Sequence, residues 1–228
     1  PHDKEDEDGK ICSSPQRMVL DTEDSLNISE DVWIVNKPID VKDKIIIEKQ
    51  VIILPGGSFE GDDSSEIVFK KPVSILSRDR VFSLDLRLEY LPGVFTNLDI
   101  TWWGANGMDR EDDTKAIQYV LTLASKSGCE QITIPIGQYL VSRQLEMLGQ
   151  EGNHQSLVIQ GVATSYDGQH GSALLWNGTE GESMVVVRNT SQSIFENVEF
   201  GVIPGHKIKS NIEFRPSCNQ ILFQNCAF

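Results

Sequence analysis

The chain has 228 residues, 39% of them hydrophobic, so it is long enough for one large domain or two small ones with a real core. Its 34 acidic residues against 20 basic ones give a net charge of −14, which argues against nucleic acid or an anionic membrane surface as a partner. No run of about 18 apolar residues is present, so the sequence predicts no membrane insertion.

The N-terminal segment is the most acidic part of the chain. Residues 1–31 carry ten acidic and three basic side chains, and residues 1–10 contain no large apolar side chain. We therefore expect residues 1–24 to form an acidic, largely disordered tail. Calcium is an alternative ligand for this tail, although the segment lacks the spaced ligands and turn glycine of a known calcium loop. No other cofactor is evident.

Residues 25–100 are predicted to form a β-rich N-terminal region, because short apolar runs alternate with clusters of Gly, Pro, Asn, Asp and Ser. The segment Ile45–Leu54 aligns without a gap with Ile67–Leu76, and apolar positions match across two strands. A repeat with this spacing predicts strands that stack on one another.

One segment breaks the strand pattern. From Thr114 to Ser127, apolar residues recur at helical spacing, with Ile117, Leu121 and Ala124 on one face. Asp112 and Asp113 supply acidic groups at the start, where they suit the positive end of a helix. The sequence therefore predicts an α-helix over Thr114–Ser127.

A second repeat lies near the end of the chain. The hexapeptide Phe195–Phe200 aligns with Phe223–Phe228, and Phe, Asn and Phe match identically. The matched residues Asn197 and Asn225 suit a tight bend, because asparagine tolerates a left-handed backbone and its amide can bond a stacked amide.

Residues 102–161 resemble the opening segment of the pectate-lyase-like right-handed parallel β-helix superfamily. The match consists of Trp102–Gln118, then Ile132–Ser142 with its Pro-x-Gly-x-Tyr turn, then Leu157–Gly161. The chain departs from the family pattern at Met108 and Asp109, where members usually have Asp-Gly.

Together, the repeats and the resemblance lead us to expect a mainly β fold: a right-handed parallel β-helix (solenoid) with one short capping α-helix. Residues 101–228 would hold the capping helix and the first rungs, truncated at the C-terminus. The resemblance also implies polysaccharide as the partner and an extracellular, cell-surface or virion location. For tail-spike-like members it further implies a homotrimer.

The function that the resemblance implies is recognition and degradation of polysaccharide, by hydrolysis or β-elimination. The alternative is a non-catalytic structural, trimerising or receptor-binding module of a phage tail-spike-like protein. Whether the chain is itself an enzyme stays open, because no catalytic motif of the family matches it residue by residue.

The candidate catalytic residues are acidic. Glu196 and Glu199 could supply an acid and a base on an outer face, because strand alternation directs Glu199 toward solvent. Asp167, in a glycine-rich loop, is the third candidate. An ordinary solvated face remains the alternative for the glutamates, and the adjacent carboxylates at positions 112 and 113 are predicted to cap the helix.

The main candidate substrate-binding residues are two aromatic and two cationic side chains. Tyr166 and Trp176 offer ring faces that stack on sugars, and Arg188 and Arg215 could bind an acidic sugar or pair with nearby acids. Arg143 is a third arginine with the same two interpretations.

No metal site is predicted, because the four histidines lack metal-ligand spacing. The four cysteines, at positions 12, 129, 218 and 226, are interpreted as buried thiols. A disulfide between Cys218 and Cys226 is left open by the spacing.

Overall fold

The computed structural model describes residues 31–127, 129, 131–149, 156–164 and 171–228. These residues are mainly β, with one α-helix, α1 (Thr114–Ser127), at the predicted bounds. The predicted acidic tail at residues 1–24 lies outside the described residues.

A first set of strands covers residues 32–90 and forms three sheets. The strands are β1 (Val32–Val35), β2 (Pro38–Asp40), β3 (Lys44–Ile47), β4 (Gln50–Ile53), β5 (Ser58–Glu60), β6 (Glu66–Phe69), β7 (Val73–Ile75) and β8 (Arg87–Tyr90). The strand orders are β1-β4-β7, β2-β5 and β3-β6-β8, and every pair is parallel. Paired residues are 18 to 22 positions apart, so each pass of the chain adds a strand beside the previous pass.

A second set covers residues 98–224 and also forms three parallel sheets. The strands are β9 (Leu98–Asp99), β10 (Gln131–Ile134), β11 (Gly137–Val141), β12 (Leu145–Leu148), β13 (Val158–Gly161), β14 (Ser172–Trp176), β15 (Ser183–Arg188), β16 (Ile194–Glu196), β17 (Val198–Val202), β18 (Ser210–Phe214) and β19 (Leu222–Gln224). The strand orders are β19-β16-β13-β10-β9, β11-β14-β17 and β12-β15-β18. Paired residues are 26 to 40 positions apart, because longer connections separate these strands.

The predicted fold, a right-handed parallel β-helix that starts at a capping helix, is wrong. The described strands form six separate short parallel sheets of two to five strands each. The sheets are separate because the chain bends between its short strands, as at Asn197, and no described strand of the first set pairs with one of the second across Ile100–Trp103, a short 3-10 helix, and α1. Helix α1 therefore lies between the sets instead of capping the start of a stack.

The registers of both predicted repeats are confirmed. Ile45 pairs with Ile67, and in the next sheet Val51 pairs with Val73, as the alignment of the first repeat requires. Phe195 pairs with Phe223, as the second repeat requires, and their rings stack with centroids 5.0 Å apart. Matched apolar side chains at paired positions fill one core layer after another.

The predicted asparagine bend is also confirmed. Asn197 and Asn225 both have a left-handed backbone, with φ of 57° and 51°. The amide nitrogen of Asn225 donates a hydrogen bond of 3.2 Å to the amide oxygen of Asn197. Gly161 lies beneath this bend, and a Cβ there would be 2.1 Å from the carbonyl oxygen of Asn197, so only glycine fits.

One apolar core runs through both sets of strands. Its first half is aromatic: Phe59 contacts the rings of Phe69 and Phe82, and Phe82 stacks on Trp103 with centroids 5.1 Å apart. All four of these side chains are fully buried. The aromatic packing therefore continues from the first set of strands into the 3-10 helix that precedes α1.

The helix start is built by the two predicted capping acids, which have different roles. Asp112 accepts hydrogen bonds from the Thr114 N–H at 3.2 Å and from the Ser142 hydroxyl at 2.9 Å. The carboxylate of Asp113 instead accepts the N–H groups of Asn106 at 2.7 Å and Leu140 at 3.1 Å. Asp113 is buried, and burial raises its pKa to about 6 in spite of these two donors, with the charges of Asp109 and Asp112 adding to the shift.

Side chains of α1 form hydrogen bonds with backbone N–H and C=O groups of the chain on both sides of the helix. The Gln118 amide accepts the Glu146 N–H at 2.7 Å and donates to the Glu146 carbonyl at 3.1 Å, as a neighbouring strand would. On the other side, the Tyr119 hydroxyl accepts the Leu88 N–H at 3.1 Å and donates to the Leu86 carbonyl at 2.8 Å. These four hydrogen bonds fix α1 between β8 and β12.

Candidate functional site

A concave surface formed by described residues lies along α1. A groove of about 660 Å³ runs between the exposed face of the helix, the segment that leads into β8, and the residues just before β12. Binding sites in proteins are usually concave and of this size. We take this groove as the candidate functional site.

The floor of the groove is the polar face of α1. Lys115, Gln118, Thr122 and Lys126 recur at a spacing of three or four positions, so they share one side of the helix. Gln118 is held by its two bonds to the backbone of β12, and the Thr122 hydroxyl donates to the Gln118 carbonyl at 2.8 Å. The floor is therefore ordered by bonds within the protein.

The walls of the groove mix apolar and polar side chains. The β8 wall contributes Leu84 and Leu88, and the β12 wall contributes Arg143 and Gln144. The Tyr119 ring lies between floor and wall, half-buried, and packs 5.7 Å from the ring of Trp103. A lining of apolar patches with a few amides and hydroxyls suits a polar ligand that also has apolar faces.

The groove is cationic in a strongly acidic chain. Four basic side chains line it, and two acidic ones: Arg87, Lys115, Lys126, Arg143, Asp85 and Glu89. Arg87 is 4.0 Å from Glu66, whose other oxygen already accepts from Lys44 at 2.6 Å. Among the salt bridges between described residues, none involves Lys115 or Arg143. These two cations are therefore open to an external anion.

The predicted catalytic glutamates lie on different sheets. Glu196 is in β16 of the five-stranded sheet, between Gln160 and Gln224 in register. Glu199 is in β17 of the neighbouring sheet, because the bend at Asn197 turns the chain between them. Glu199 alternates with the buried side chains of Val198 and Phe200, as strand alternation predicts, and is itself half-buried. Alanines at positions 173 and 227 flank it in register.

Three of the candidate substrate-binding residues are described, and none of the three lines the groove. Trp176 is fully buried, with its indole N–H donating to the Lys207 carbonyl at 3.2 Å, so neither ring face is accessible to a sugar. Arg188 is half-buried at the end of β15, and Arg215 pairs with Glu213 at 3.3 Å. Tyr166 and Asp167 lie outside the described residues.

The groove has no direct signal in the sequence. The polar face of α1 is visible in the helical periodicity, and Arg143 is visible only as one of three arginines that could bind an acidic sugar. The β8 wall lies well before the helix in the chain, and only folding brings Arg87 beside α1. A spacing argument confined to short windows cannot find such a site.

Metal and disulfide chemistry find no support in the described part of the chain. It contains no group of three or more His, Cys, Asp or Glu side chains that could hold a metal ion. Cys129, Cys218 and Cys226 are free thiols, and those of Cys218 and Cys226 donate to the backbone carbonyls of Val187 and Phe195, both at 3.3 Å. No described helix is long and apolar enough to cross a membrane.

Comparison with known proteins gives no assignment. No protein-family model matches the chain, and neither a curated protein nor a solved structure matches it. The resemblance at residues 102–161 therefore stays a prediction, and the groove has to be interpreted from its own residues.

Proposed function

We propose that this protein binds a polysaccharide chain and that the groove along α1 is the binding site. The observation that supports this is the shape and lining of the groove: long, open to solvent, and lined by amides, hydroxyls and apolar patches. Sugars present hydroxyl groups at the ring edge and apolar C–H groups on the ring face, which this lining complements.

The arrangement of carboxylates favours binding over cleavage. A glycosidase places two carboxyl groups on opposite sides of the scissile bond. In the groove, Asp85 and Glu89 lie on the same wall, on either side of the start of β8. The glutamates at positions 196 and 199 lie on two different sheets and do not line the groove. We therefore propose a binding function for the described residues.

The test is a binding screen in which the groove is blocked by a bulky side chain. Thr122 is exposed on the groove floor, so Thr122→Trp should fill the groove without disturbing the core. Thr179→Trp is the matched control, because Thr179 is exposed in the turn after β14, away from the groove. Each protein is titrated with a panel of neutral and acidic oligosaccharides by calorimetry.

We expect the wild type and Thr179→Trp to bind the same oligosaccharides, and Thr122→Trp to lose that binding. If all three proteins bind equally well, the groove is not the binding site. If the wild type binds no oligosaccharide, the proposed function is wrong. Release of new reducing ends or of unsaturated products in the same mixtures would replace binding by degradation as the function. The extracellular location and the homotrimer remain predictions.

A further inference from the structure

We infer that Asn106 is a site of covalent self-modification, at which the side-chain amide is converted to a carboxyl group through a cyclic succinimide. The peptide nitrogen of Gly107 loses its proton and attacks the amide carbon of Asn106, and the amide nitrogen takes up a proton and leaves as ammonia. Water then opens the ring at either carbonyl, which yields aspartate or isoaspartate at position 106. The reaction consumes water alone and is independent of the proposed function.

The sequence offers this reaction at two places. The chain contains two Asn-Gly pairs, at positions 106–107 and 177–178. Glycine has no Cβ, so the peptide nitrogen that follows the asparagine can approach the amide carbon with little steric hindrance. Because the two pairs are equivalent in sequence, the structure around each one decides which of them reacts.

The turn at Asn106 is arranged for ring closure. The Met108 N–H donates a hydrogen bond of 3.3 Å to the Oδ1 of Asn106, and this turn folds the amide over the peptide nitrogen of Gly107. Attack at the amide carbon makes Oδ1 an oxyanion, and an N–H that already faces this oxygen stabilises it. The Nδ2 of Asn106 donates to the Oδ2 of Asp109 at 2.8 Å, which fixes the direction of the leaving nitrogen. Asn106 is exposed, so water reaches the ring.

The fold requires the glycine that makes this pair reactive. A Cβ at Gly107 would lie 2.7 Å from the Cα of Gly137 and from the backbone nitrogen of Gln138. The Gln138 N–H also donates to the Gly107 carbonyl at 2.8 Å, so the two segments are held in backbone contact. A larger residue at position 107 would separate them, and the packing therefore keeps the reactive pair in place.

The second pair lacks these features. Asn177 is half-buried and its Oδ1 is fully buried, and no described residue donates a hydrogen bond to that oxygen. The N–H of Asn177 donates to the Val141 carbonyl at 3.0 Å, which ties its backbone to the neighbouring strand. An oxyanion at this position would be buried without a donor, so we expect Asn177 to react more slowly than Asn106 in the folded chain.

The modification acts on the start of α1. The new carboxylate replaces the amide group that donates to Asp109, so two like charges meet at hydrogen-bond distance. The N–H of Asn106 also donates to the carboxylate of Asp113, which in turn accepts the Leu140 N–H. Isoaspartate adds a methylene group to the backbone next to this N–H. Modification therefore loosens the loop that leads into α1.

The experiment follows both pairs in one sample. The full chain is incubated at neutral pH, once folded and once in concentrated urea, and is digested at intervals for mass spectrometry of the peptides that contain residues 106 and 177. Fragmentation identifies isoaspartate. In the folded chain Asn106 should convert at least about tenfold faster than Asn177, whereas in urea the two should convert at similar rates.

Two substitutions at one position test the oxyanion donor. Met108→Pro removes the N–H, and Met108→Ala keeps it, while both remove the same exposed side chain. Met108→Ala should convert Asn106 at the wild-type rate, and Met108→Pro at least about tenfold more slowly. Circular dichroism checks that both variants are folded, and the comparison of the two wild-type peptides depends on neither.

The consequence for the loop is tested with Asn106→Asp, which reproduces the aspartate product. Its midpoint temperature of unfolding should lie about 2–4 °C below that of the wild type, because one hydrogen bond is replaced by a repulsive contact. Asn219→Asp is the control, since it adds the same charge at an exposed residue far from this loop in the sequence. It should unfold as the wild type does.

Three results would overturn the inference or one of its parts. If Asn106 converts no faster than Asn177 in the folded chain, or if their ratio is the same in urea, the fold does not select Asn106 and the inference is wrong. If Met108→Pro reacts as fast as Met108→Ala, the Met108 N–H is not the oxyanion donor. If Asn106→Asp and Asn219→Asp unfold at the same temperature, modification does not loosen the loop.

Discussion

The buried carboxyl of Asp113 gives a stability prediction that depends on pH. Asp113 joins the loop at Asn106 to β11 at Leu140 through two hydrogen bonds, in a place that raises its pKa from 3.8 to about 6. In the unfolded chain the carboxyl loses its proton at about pH 4, and in the folded chain at about pH 6. The contribution of Asp113 to the free energy of unfolding is therefore complete below about pH 4 and is lost as the pH rises toward 6.

The size of this effect follows from the shift of about two pKa units. At about 1.4 kcal/mol for each unit, the linkage amounts to roughly 3 kcal/mol. The substitution Asp113→Asn removes the titration, because an amide does not ionise in this range. The difference in free energy of unfolding, wild type minus Asp113→Asn, should therefore fall by roughly 3 kcal/mol between about pH 3.5 and 6.5.

Urea unfolding at a series of pH values, followed by tryptophan fluorescence, measures this difference. Asp112→Asn is the matched control with the opposite sign. Partial burial acts to raise the pKa of Asp112, but hydrogen bonds from Thr114 and Ser142 outweigh it and hold the pKa below its usual value. The difference in free energy of unfolding between wild type and Asp112→Asn should therefore rise with pH. If the difference in free energy of unfolding between wild type and Asp113→Asn stays constant or rises with pH, burial does not raise the pKa of Asp113 and our reasoning is refuted.

Substitutions at three further positions test the packing of the fold by urea unfolding at neutral pH. Gln118→Ala leaves the N–H and C=O of Glu146 without their side-chain partner and should cost about 1–3 kcal/mol, and a cost near zero would mean that water replaces the amide. Phe59→Ala opens a cavity at a fully buried aromatic contact and should cost about 3–5 kcal/mol, whereas a cost below about 1 kcal/mol would contradict the packing described for the first set. Asn197→Ala should cost about 1–2 kcal/mol more than Asn197→Gly, because only glycine adopts the left-handed backbone freely, and equal costs would argue against the bend.

Local patterns predicted the elements of the fold well. The helix over Thr114–Ser127 follows from a single amphipathic stripe with acids before it, and both of its ends agree with the structure. The two repeats predicted the register, because matched apolar residues such as Phe195 and Phe223 have to fill the same core column. Information within one or two passes of the chain was sufficient for these features.

The arrangement of the sheets could not be predicted in this way. Their interruption depends on how α1 bonds to β8 and β12 through Tyr119 and Gln118, and neither residue type signals such a role in the sequence. Trp176 shows the same limit for the site: an aromatic residue suited to sugar stacking is also suited to a core, and burial decides between them. The groove itself requires two walls that are distant in sequence.

The position of α1 has a consequence for how such a chain can change. Passes of the chain are shorter before the helix than after it, and side chains of α1 bond to both neighbouring edges. Strands of the two sets do not pair with each other across the helix. The number of residues in a pass on one side of α1 is therefore independent of the number on the other side. We therefore regard α1 as an adaptor, on either side of which whole passes can be gained or lost by duplication while the other side keeps its register.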